Sequence, residues 1–438
     1  LKVYVWRTAV NVWNFGRSPV EGLEDDFARL FSGIASRKDL HGRFLGTTLP
    51  FQGKISFGGD VVLWATSEHP SYWLSRTYSR YTPQGWIAGK SINLPVGPNS
   101  LRPPRQESFK RVPVFQSVEL GFDSDNLFSA GNLDWVSHDT IVEQLAPLEF
   151  DIEIIDSAGD SRLPEHIRGL AKELRRKLDN SSRIFGEANF DLESHVSSLL
   201  PEDLYLVGVG MAADSVHFPI PERVTIARKV PEIPDLVAWK FTDRLEANNP
   251  YSMRSLLSSA NNRDLRTAPS DYSGFIKDHY LQLPTRLPQR VRDLAKHLTR
   301  DARTPLDKAL AIEGYLRGDT FEYSWNIEAP PPGVDGVEYF LFETRKGYSD
   351  YFSSAMAVML RTVGVPTRLA AGYAPGSTLD RAGRREVKDS DSHGWVQVNF
   401  PGYGWIDFEP TKNWPAMDRG ERDGGATAAR TGSDAGSR

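Results

Sequence analysis

Short apolar runs separated by Gly and Pro fill the first half of the chain, a pattern typical of β-strands joined by turns. The period becomes helical at one place in this half, where Ile167, Leu170 and Leu174 fall on one helix face. We therefore predict a β-rich, sandwich-like domain over residues 45–270 with one helix inside it. The runs that predict strands are Val61–Trp64, Tyr72–Leu74, Val112–Phe115, Phe150–Ile155 and Tyr205–Val209.

After Asp271 the apolar period is helical. Helices are predicted to begin at Pro288 and at Thr304, the latter from a Thr-Pro-Leu-Asp cap. An amphipathic helix is predicted to begin at Ser349 and to end at Gly364. We therefore predict an α+β domain over residues 271–411. Its last three strands are predicted at Thr367–Tyr373, Gly394–Phe400 and Gly404–Phe408.

The two ends of the chain have a different character. Ser18–Glu21 forms a capping box before apolar residues at helical spacing, so we predict a short amphipathic helix in residues 1–44. Residues 412–438 are rich in Gly, Ala, Arg, Asp and Ser and predict a disordered linker. A start at Leu1 and a polar end are typical of a soluble portion cut from a longer protein.

Composition excludes several function classes. A chain of 438 residues is long enough for two domains, and a hydrophobic content of 39% is typical of a globular protein. The net charge of -5 gives no electrostatic reason to expect a nucleic-acid partner. With no cysteine, the chain forms no disulfide or cysteine-ligated zinc site, and its histidines lack metal-ligand spacing. We expect no cofactor and no metal.

An aromatic cluster lies near the start of the β-rich region. We interpret it as the core of the sandwich, with a carbohydrate- or peptide-binding surface as the alternative. Its members are Tyr72, Trp73, Tyr78, Tyr81 and Trp86.

Three motifs in the second half carry candidate chemistry. Ser349 follows Gly347 at a helix start, His393 precedes Gly-Trp on a strand, and Glu409 precedes Pro-Thr after the next strand. A small nucleophile, a histidine and a carboxylate in this order are the layout of a thiol-type acyl-transfer triad. Each residue alone has an ordinary structural explanation, such as a helix cap for Ser349. The ordered combination favours the catalytic interpretation.

These motifs resemble those of the transglutaminase-like superfamily, in particular bacterial membrane-anchored proteins with such a domain outside the cytoplasm. The family patterns G-x-C-x-x-[FY]-[AS], H-[AG]-W and [DE]-P-T have counterparts here, except that Ser349 stands where the family has cysteine. The resemblance is strong over 280–411 and weaker over 51–86. The matching residues are Gly347, Phe352, Ser353, His393, Gly394, Trp395, Glu409, Pro410 and Thr411.

The resemblance implies a papain-like α+β core and cysteine-type acyl transfer from protein or peptide amides to water or to an amine acceptor. The residue at 349 would be the nucleophile, with its backbone N–H facing the oxyanion, and His393 would relay the proton. The parent protein is expected at the extracytoplasmic face of a bacterial membrane. An engineered Cys→Ser change and a naturally serine-bearing relative both remain open, and either form is expected to be inactive or nearly so.

Two further alternatives remain at this stage. One is a natural pseudoenzyme whose cleft binds a peptide, and the other is an extracellular cysteine peptidase. For the third member of the triad, Glu409 stands at the family's motif position. Asp407, two residues earlier on the same strand face, is the other candidate.

Overall fold

The computed structural model describes residues 46–69, 71–98, 110–157, 159–160, 163–181, 191–211, 221–231, 235–376, 378–417 and 419. The predicted N-terminal helix and most of the predicted linker lie outside these ranges. The structure is a mixed α and β fold, as predicted. Within the ranges given, no helix has both the length and the apolar character needed to cross a membrane.

Two antiparallel sheets form the main framework, with strands numbered in chain order. The first sheet consists of β22 (Gly404–Phe408), β21 (Ser392–Phe400), β18 (Thr367–Tyr373), β3 (Trp73–Tyr78), β14 (Leu236–Leu245), β10 (Thr140–Leu145) and β6 (Ser91–Val96), with β8 (Ser124–Asn126) also paired to β14. The second sheet consists of β19 (Thr378–Leu379), β20 (Arg385–Lys388), β2 (Val61–Ser67), β7 (Arg111–Leu120), β15 (Pro250–Ser258) and β9 (Asn132–Val136).

The two sheets share a hydrophobic core. Leu63 and Val118 of the second sheet are fully buried in one cluster with Trp73 and Val142 of the first. Alternate residues of a strand face opposite sides, so one face of each sheet supplies this core. The two sheets therefore form a sandwich, but it includes strands from the second half of the chain as well as from the predicted range 45–270.

A smaller unit packs its own core. It consists of the three-stranded sheet β11 (Glu149–Glu153), β13 (Pro221–Arg228) and β12 (Leu204–Met211) with the helices α1 (Glu165–Ser181) and α2 (Leu192–Leu199). Ile167 and Leu174 of α1 are buried against Ile152 and Val224. The predicted helix is confirmed.

The remaining elements surround the last strands. The helices are α3 (Asn262–Arg266), α4 (Gly274–Tyr280), α5 (Gln289–Leu298), α6 (Pro305–Arg317), α7 (Gly336–Glu338, continued by a π-helical turn at Tyr339–Thr344) and α8 (Ser349–Thr362). The short strands are β1 (Thr48–Pro50), β5 (Gly85–Ile87) and β4 (Arg80–Thr82) in one sheet, and β16 (Glu322–Tyr323) and β17 (Lys346–Gly347) in another. Thr304 accepts a hydrogen bond from Asp307 N, so the predicted cap of α6 is confirmed.

The predicted boundary at residue 270 does not coincide with a break in the sheets. Strand β3, from the first half of the chain, pairs with β18 from the second half, and β2 pairs with β20. Phe51 and Trp86 lie in one core cluster with Phe352 and Met356. The change of period marks where the helices begin, but strand pairing depends on contacts between residues far apart in sequence.

Helix α8 is not amphipathic, contrary to the prediction. Each residue from Ser349 to Arg361 is buried. Two of its polar side chains are hydrogen-bonded within the core: Ser354 Oγ accepts from Trp86 Nε1 at 2.8 Å, and Arg361 donates to Thr367 O at 2.6 Å. Polar groups that are hydrogen-bonded can be buried at moderate cost. The helix can therefore lie at the centre of the core beside the site.

Candidate active site

Ser349 is the first residue of α8. Gly347 allows the chain to enter the helix tightly, because a Cβ there would lie 2.8 Å from Tyr351 Cβ. The cap residue Tyr348 makes no side-chain capping bond. A backbone N–H at a helix start has no partner within the helix, so the N–H of Ser349 is available by position to a ligand. The Ser349 side chain is fully buried.

Strand β21 brings His393 beside this helix start. The backbone N–H of Gly394 donates to Ser349 Oγ at 3.1 Å, so the residue after His393 contacts the candidate nucleophile directly. Gly394 permits this approach because an added Cβ would lie 3.1 Å from Asp350 Oδ1 and 3.4 Å from Ser353 Oγ. The narrow space beside Asp350 and Ser353 therefore favours a small residue between His393 and Trp395.

His393 and Glu409 form a buried pair. His393 Nε2 lies 2.6 Å from Glu409 Oε2, and both side chains are 0% exposed. His393 Nδ1 is also buried and has no hydrogen-bond partner among the residues that the structure describes. The ring is thus bonded on one nitrogen and open on the other.

The surroundings of Glu409 keep it ionised. Burial opposes the charge, but the charge of His393 and hydrogen bonds from His393, Thr411 N (2.8 Å) and Tyr72 Oη (2.7 Å) hold the pKa of Glu409 below its usual value. An ionised carboxylate only accepts hydrogen bonds. His393 Nε2 must then carry a hydrogen, and in the neutral ring Nδ1 is the basic nitrogen.

Helix α6 fixes the backbone of Glu409 from both sides. Glu313 Oε1 accepts from Glu409 N at 2.9 Å, and Arg317 Nη1 donates to Glu409 O at 2.7 Å. Glu313 and Arg317 are four residues apart and so lie on one helix face. Burial raises the pKa of Glu313 above its ordinary value.

Asp407 lies on the same side of the hairpin but has different partners. Its Oδ1 accepts from Trp395 Nε1 at 3.0 Å and from Gln397 Nε2 at 2.8 Å. Asp407 is paired in register with Gln397 across the two strands. The structure therefore brings Glu409 to His393 and leaves Asp407 two residues further along the sheet.

Two aromatic residues outside the three motifs also contact the site. The Tyr72 ring lies 5.3 Å from His393 and 4.9 Å from Trp395, and the Trp414 ring lies 4.3 Å from His393. Trp414 falls in the predicted linker, where Arg317 Nη2 donates to its carbonyl at 2.6 Å. The other members of the predicted aromatic cluster are core residues: Trp73, Tyr78, Tyr81 and Trp86. Across the described ranges, no three His, Asp or Glu residues are grouped as metal ligands.

Part of the chain matches a known family. The model of the transglutaminase-like superfamily matches residues 292–410, so this part of the chain is a transglutaminase-like domain. The matched range includes Ser349, His393 and Glu409.

Two relatives align with this region. Over 142 residues the chain is 45% identical to the uncharacterized protein YebA of Bacillus subtilis strain 168, covering 31% of this chain and 19% of YebA. Over 131 residues it is 35% identical to the protein-glutamine gamma-glutamyltransferase of Pseudomonas aeruginosa PAO1, covering 30% of this chain and 19% of that protein. The matches thus span about a fifth of the length of these relatives.

Two solved structures are similar over most of the chain. The crystal structure of the periplasmic domain of TgpA from Pseudomonas aeruginosa bound to ethylmercury aligns with a TM-score of 0.43 at 19% identity, covering 81% of this chain and 90% of that one. Another structure of the same domain aligns with a TM-score of 0.43 at 17% identity, covering 82% and 93%.

Gly372 lies where strand β18 passes very close to strand β3. It pairs with His393 in register, and an added Cβ would lie only 1.9 Å from Trp73 O on strand β3. Gly372→Ala should therefore force β18 and β3 apart and lower the free energy of unfolding by about 3 kcal/mol or more. Urea denaturation followed by tryptophan fluorescence measures this.

Gly314→Ala is the matched control for that change. Gly314 lies inside α6 with no atom within 4 Å of an added Cβ. Alanine there should raise stability by about 1 kcal/mol, because glycine is a poor helix former. Equal effects of the two substitutions would contradict the packing assigned to Gly372.

Proposed function

We propose that Ser349, His393 and Glu409 occupy the three positions of a thiol-type acyl-transfer triad. The observation that carries the proposal is the His393 ring, bonded through Nε2 to a buried carboxylate and open at Nδ1. The transglutaminase-like match over 292–410 supports it independently. A protein with cysteine at position 349 would transfer acyl groups from protein or peptide amides.

The reaction follows from the roles of these groups. The thiol at position 349 gives its proton to His393 Nδ1, and the thiolate attacks the amide carbonyl carbon. The backbone N–H at the helix start donates to the resulting oxyanion. The C–N bond breaks as His393 returns the proton to the leaving amine, which leaves a thioester on residue 349. Water or a second amine then attacks the thioester and restores the thiol.

Serine at position 349 changes this energy balance. A thiol already carries a few per cent thiolate at neutral pH, whereas an alcohol is far harder to ionise. A site that works through a thiolate–imidazolium pair does not generate an alkoxide in the same way. We therefore propose that the chain with Ser349 is inactive or nearly so, whether the serine is engineered or natural.

The proposed substrate class rests on the relatives. The Pseudomonas relative is named a protein-glutamine gamma-glutamyltransferase, which favours a protein glutamine as acyl donor and an amine as acceptor. A peptidase, with water as acceptor, uses the same groups. A pseudoenzyme that only binds peptide is the alternative if serine is natural here. Action at the extracytoplasmic face of a bacterial membrane stays a prediction from the family resemblance.

The first test introduces the thiol. In Ser349→Cys the new thiol should titrate below the ordinary value of about 8.5, because the helix start and His393 both favour the thiolate. Ultraviolet absorbance of the thiolate measures this without a reagent having to reach the buried site. The Ser349 chain is the blank, since it has the same tyrosines and no cysteine.

His393→Ala in the Ser349→Cys background serves as the control for that titration. It should raise the apparent pKa of the thiol by about one unit or more. A thiol that titrates at its ordinary value with or without His393 would contradict the triad.

A second test separates the two carboxylates. In the Ser349→Cys background, Glu409→Gln should raise the apparent pKa of the thiol by about one unit, because it removes the charge that stabilises the imidazolium and keeps the side-chain shape. Asp407→Asn is the matched control and should change the apparent pKa of the thiol much less, since Asp407 accepts hydrogen bonds from Trp395 and Gln397. A larger shift from Asp407→Asn would assign the third position to Asp407.

A further inference from the structure

Among the residues that the structure describes, Tyr72 is the one outside the three motifs whose side chain donates a hydrogen bond to the Glu409 carboxylate. Its hydroxyl donates to Glu409 Oε2 at 2.7 Å, and His393 Nε2 lies 2.6 Å from the same oxygen. Thr411 N donates to the other oxygen, Oε1, at 2.8 Å. One carboxylate oxygen therefore accepts two hydrogen bonds, and one of the two donors is the imidazole itself.

We propose that Tyr72 is a positioning residue that moderates the charge of Glu409, so that the His393 imidazolium can release its proton to the leaving amine. The inference rests on the proposed acyl-transfer function and extends it to a residue outside 292–410. Tyr72 keeps its own proton throughout. The proton that moves goes from the thiol to His393 Nδ1 and then to the amine nitrogen.

The hydrogen bond from Tyr72 affects how strongly the Glu409–His393 pair binds a further proton. Before proton transfer the Glu409–His393 pair is negatively charged, and after transfer it is neutral overall. A hydrogen bond to a carboxylate stabilises the more negative state more strongly. Tyr72 therefore lowers the affinity of the pair for the additional proton, which makes the imidazolium a better acid in the second half of the reaction.

The environment of Tyr72 suits a donor rather than a proton carrier. Burial, followed by the charge of Glu409, raises the pKa of Tyr72 far above its ordinary value. The hydroxyl therefore stays protonated and donates at any working pH. The ring packs on His393 and Trp395, which fixes the direction of the hydroxyl.

The position of Tyr72 is imposed by the sandwich half of the chain. Tyr72 directly precedes β3, which pairs with β18 and, through it, neighbours the strand that carries His393. The register between β3 and β18 shifts at Ala371 and Gly372, beside the point where Tyr72 enters the site. One of the donors to Glu409 is thus Tyr72, which lies 220 positions before the start of the transglutaminase-like region.

The test measures the thiol in the full chain carrying Ser349→Cys. Tyr72→Phe removes the hydroxyl that donates to Glu409 and keeps the ring, so it should lower the apparent pKa of the thiol by about half a unit to one unit. This direction is opposite to that expected for Glu409→Gln. A loosened or partly unfolded site would instead raise the value, as loss of the carboxylate does.

Two comparisons isolate the hydroxyl. Tyr251→Phe is the matched control, because Tyr251 is a buried sandwich tyrosine whose hydroxyl bonds the backbone of Phe128; it should leave the thiol unchanged. Tyr72→Phe should also have no effect once Glu409→Gln is present, because it acts through that charge. Replacing Tyr72 by 3-fluorotyrosine, a stronger donor with the same shape, should raise the apparent pKa.

The outcomes distinguish this inference from the proposed function. If Tyr72→Phe behaves like Tyr251→Phe, raises the thiol pKa, or has the same effect beside Gln at 409, the role of Tyr72 is overturned while the triad stands. If Glu409→Gln and His393→Ala also leave the thiol unchanged, the triad fails and the role of Tyr72 fails with it.

Discussion

The contact between His393 Nε2 and Glu409 Oε2, 2.6 Å long with both side chains fully buried, is the interaction on which the site depends. A carboxylate removed from water is costly unless it is paired and hydrogen-bonded. Donors therefore have to surround Glu409 before the pair can exist. They come from His393 on β21, from the backbone of Thr411 and from Tyr72 beside β3. Both halves of the chain thus supply hydrogen-bond donors to one buried carboxylate.

The order of the strands brings these donors together. Strand β18 lies between β3 and β21, so it joins the sandwich to the strand that carries His393. On the other side, Glu313 and Arg317 of α6 fix the backbone of Glu409. Core packing holds the start of α8 beside this strand, and one hydrogen bond, from Gly394 N to Ser349 Oγ, joins the candidate nucleophile to it. Small residues at 347, 372 and 394 allow these close approaches.

The sequence predicted those features that depend on local patterns. Apolar periodicity located some of the sandwich strands and the helices α1, α5, α6 and α8, and motif order selected Ser349, His393 and Glu409 as neighbours in space. Motif position favoured Glu409 over Asp407 as the partner of His393, but the strand pattern alone left both open, because residues two apart in a strand share a face. The decision depends on register: Asp407 lies opposite Gln397, which leaves Glu409 beyond the strand end to meet His393.

Features that depend on distant contacts were missed for a physical reason. Tyr72 and Glu409 are 337 residues apart, and nothing in the local pattern around Tyr72 distinguishes it from a core aromatic residue. The boundary predicted at residue 270 follows the change of period, yet β3 crosses it by pairing with β18. Trp414 was included in a linker because of the small polar residues that follow it, although its ring packs on His393.

Acylation of residue 349 by a small activated ester, followed by intact-mass spectrometry, tests the central claim most directly. We expect that Ser349→Cys treated with p-nitrophenyl acetate at neutral pH gains one acetyl group at position 349, removable by hydroxylamine. The unsubstituted protein, with Ser349, should not gain it, and His393→Ala should slow its formation about tenfold or more. Acetylation of the unsubstituted protein at an equal rate, or a rate in Ser349→Cys that does not depend on His393, would show that these residues do not form a thiol-type triad.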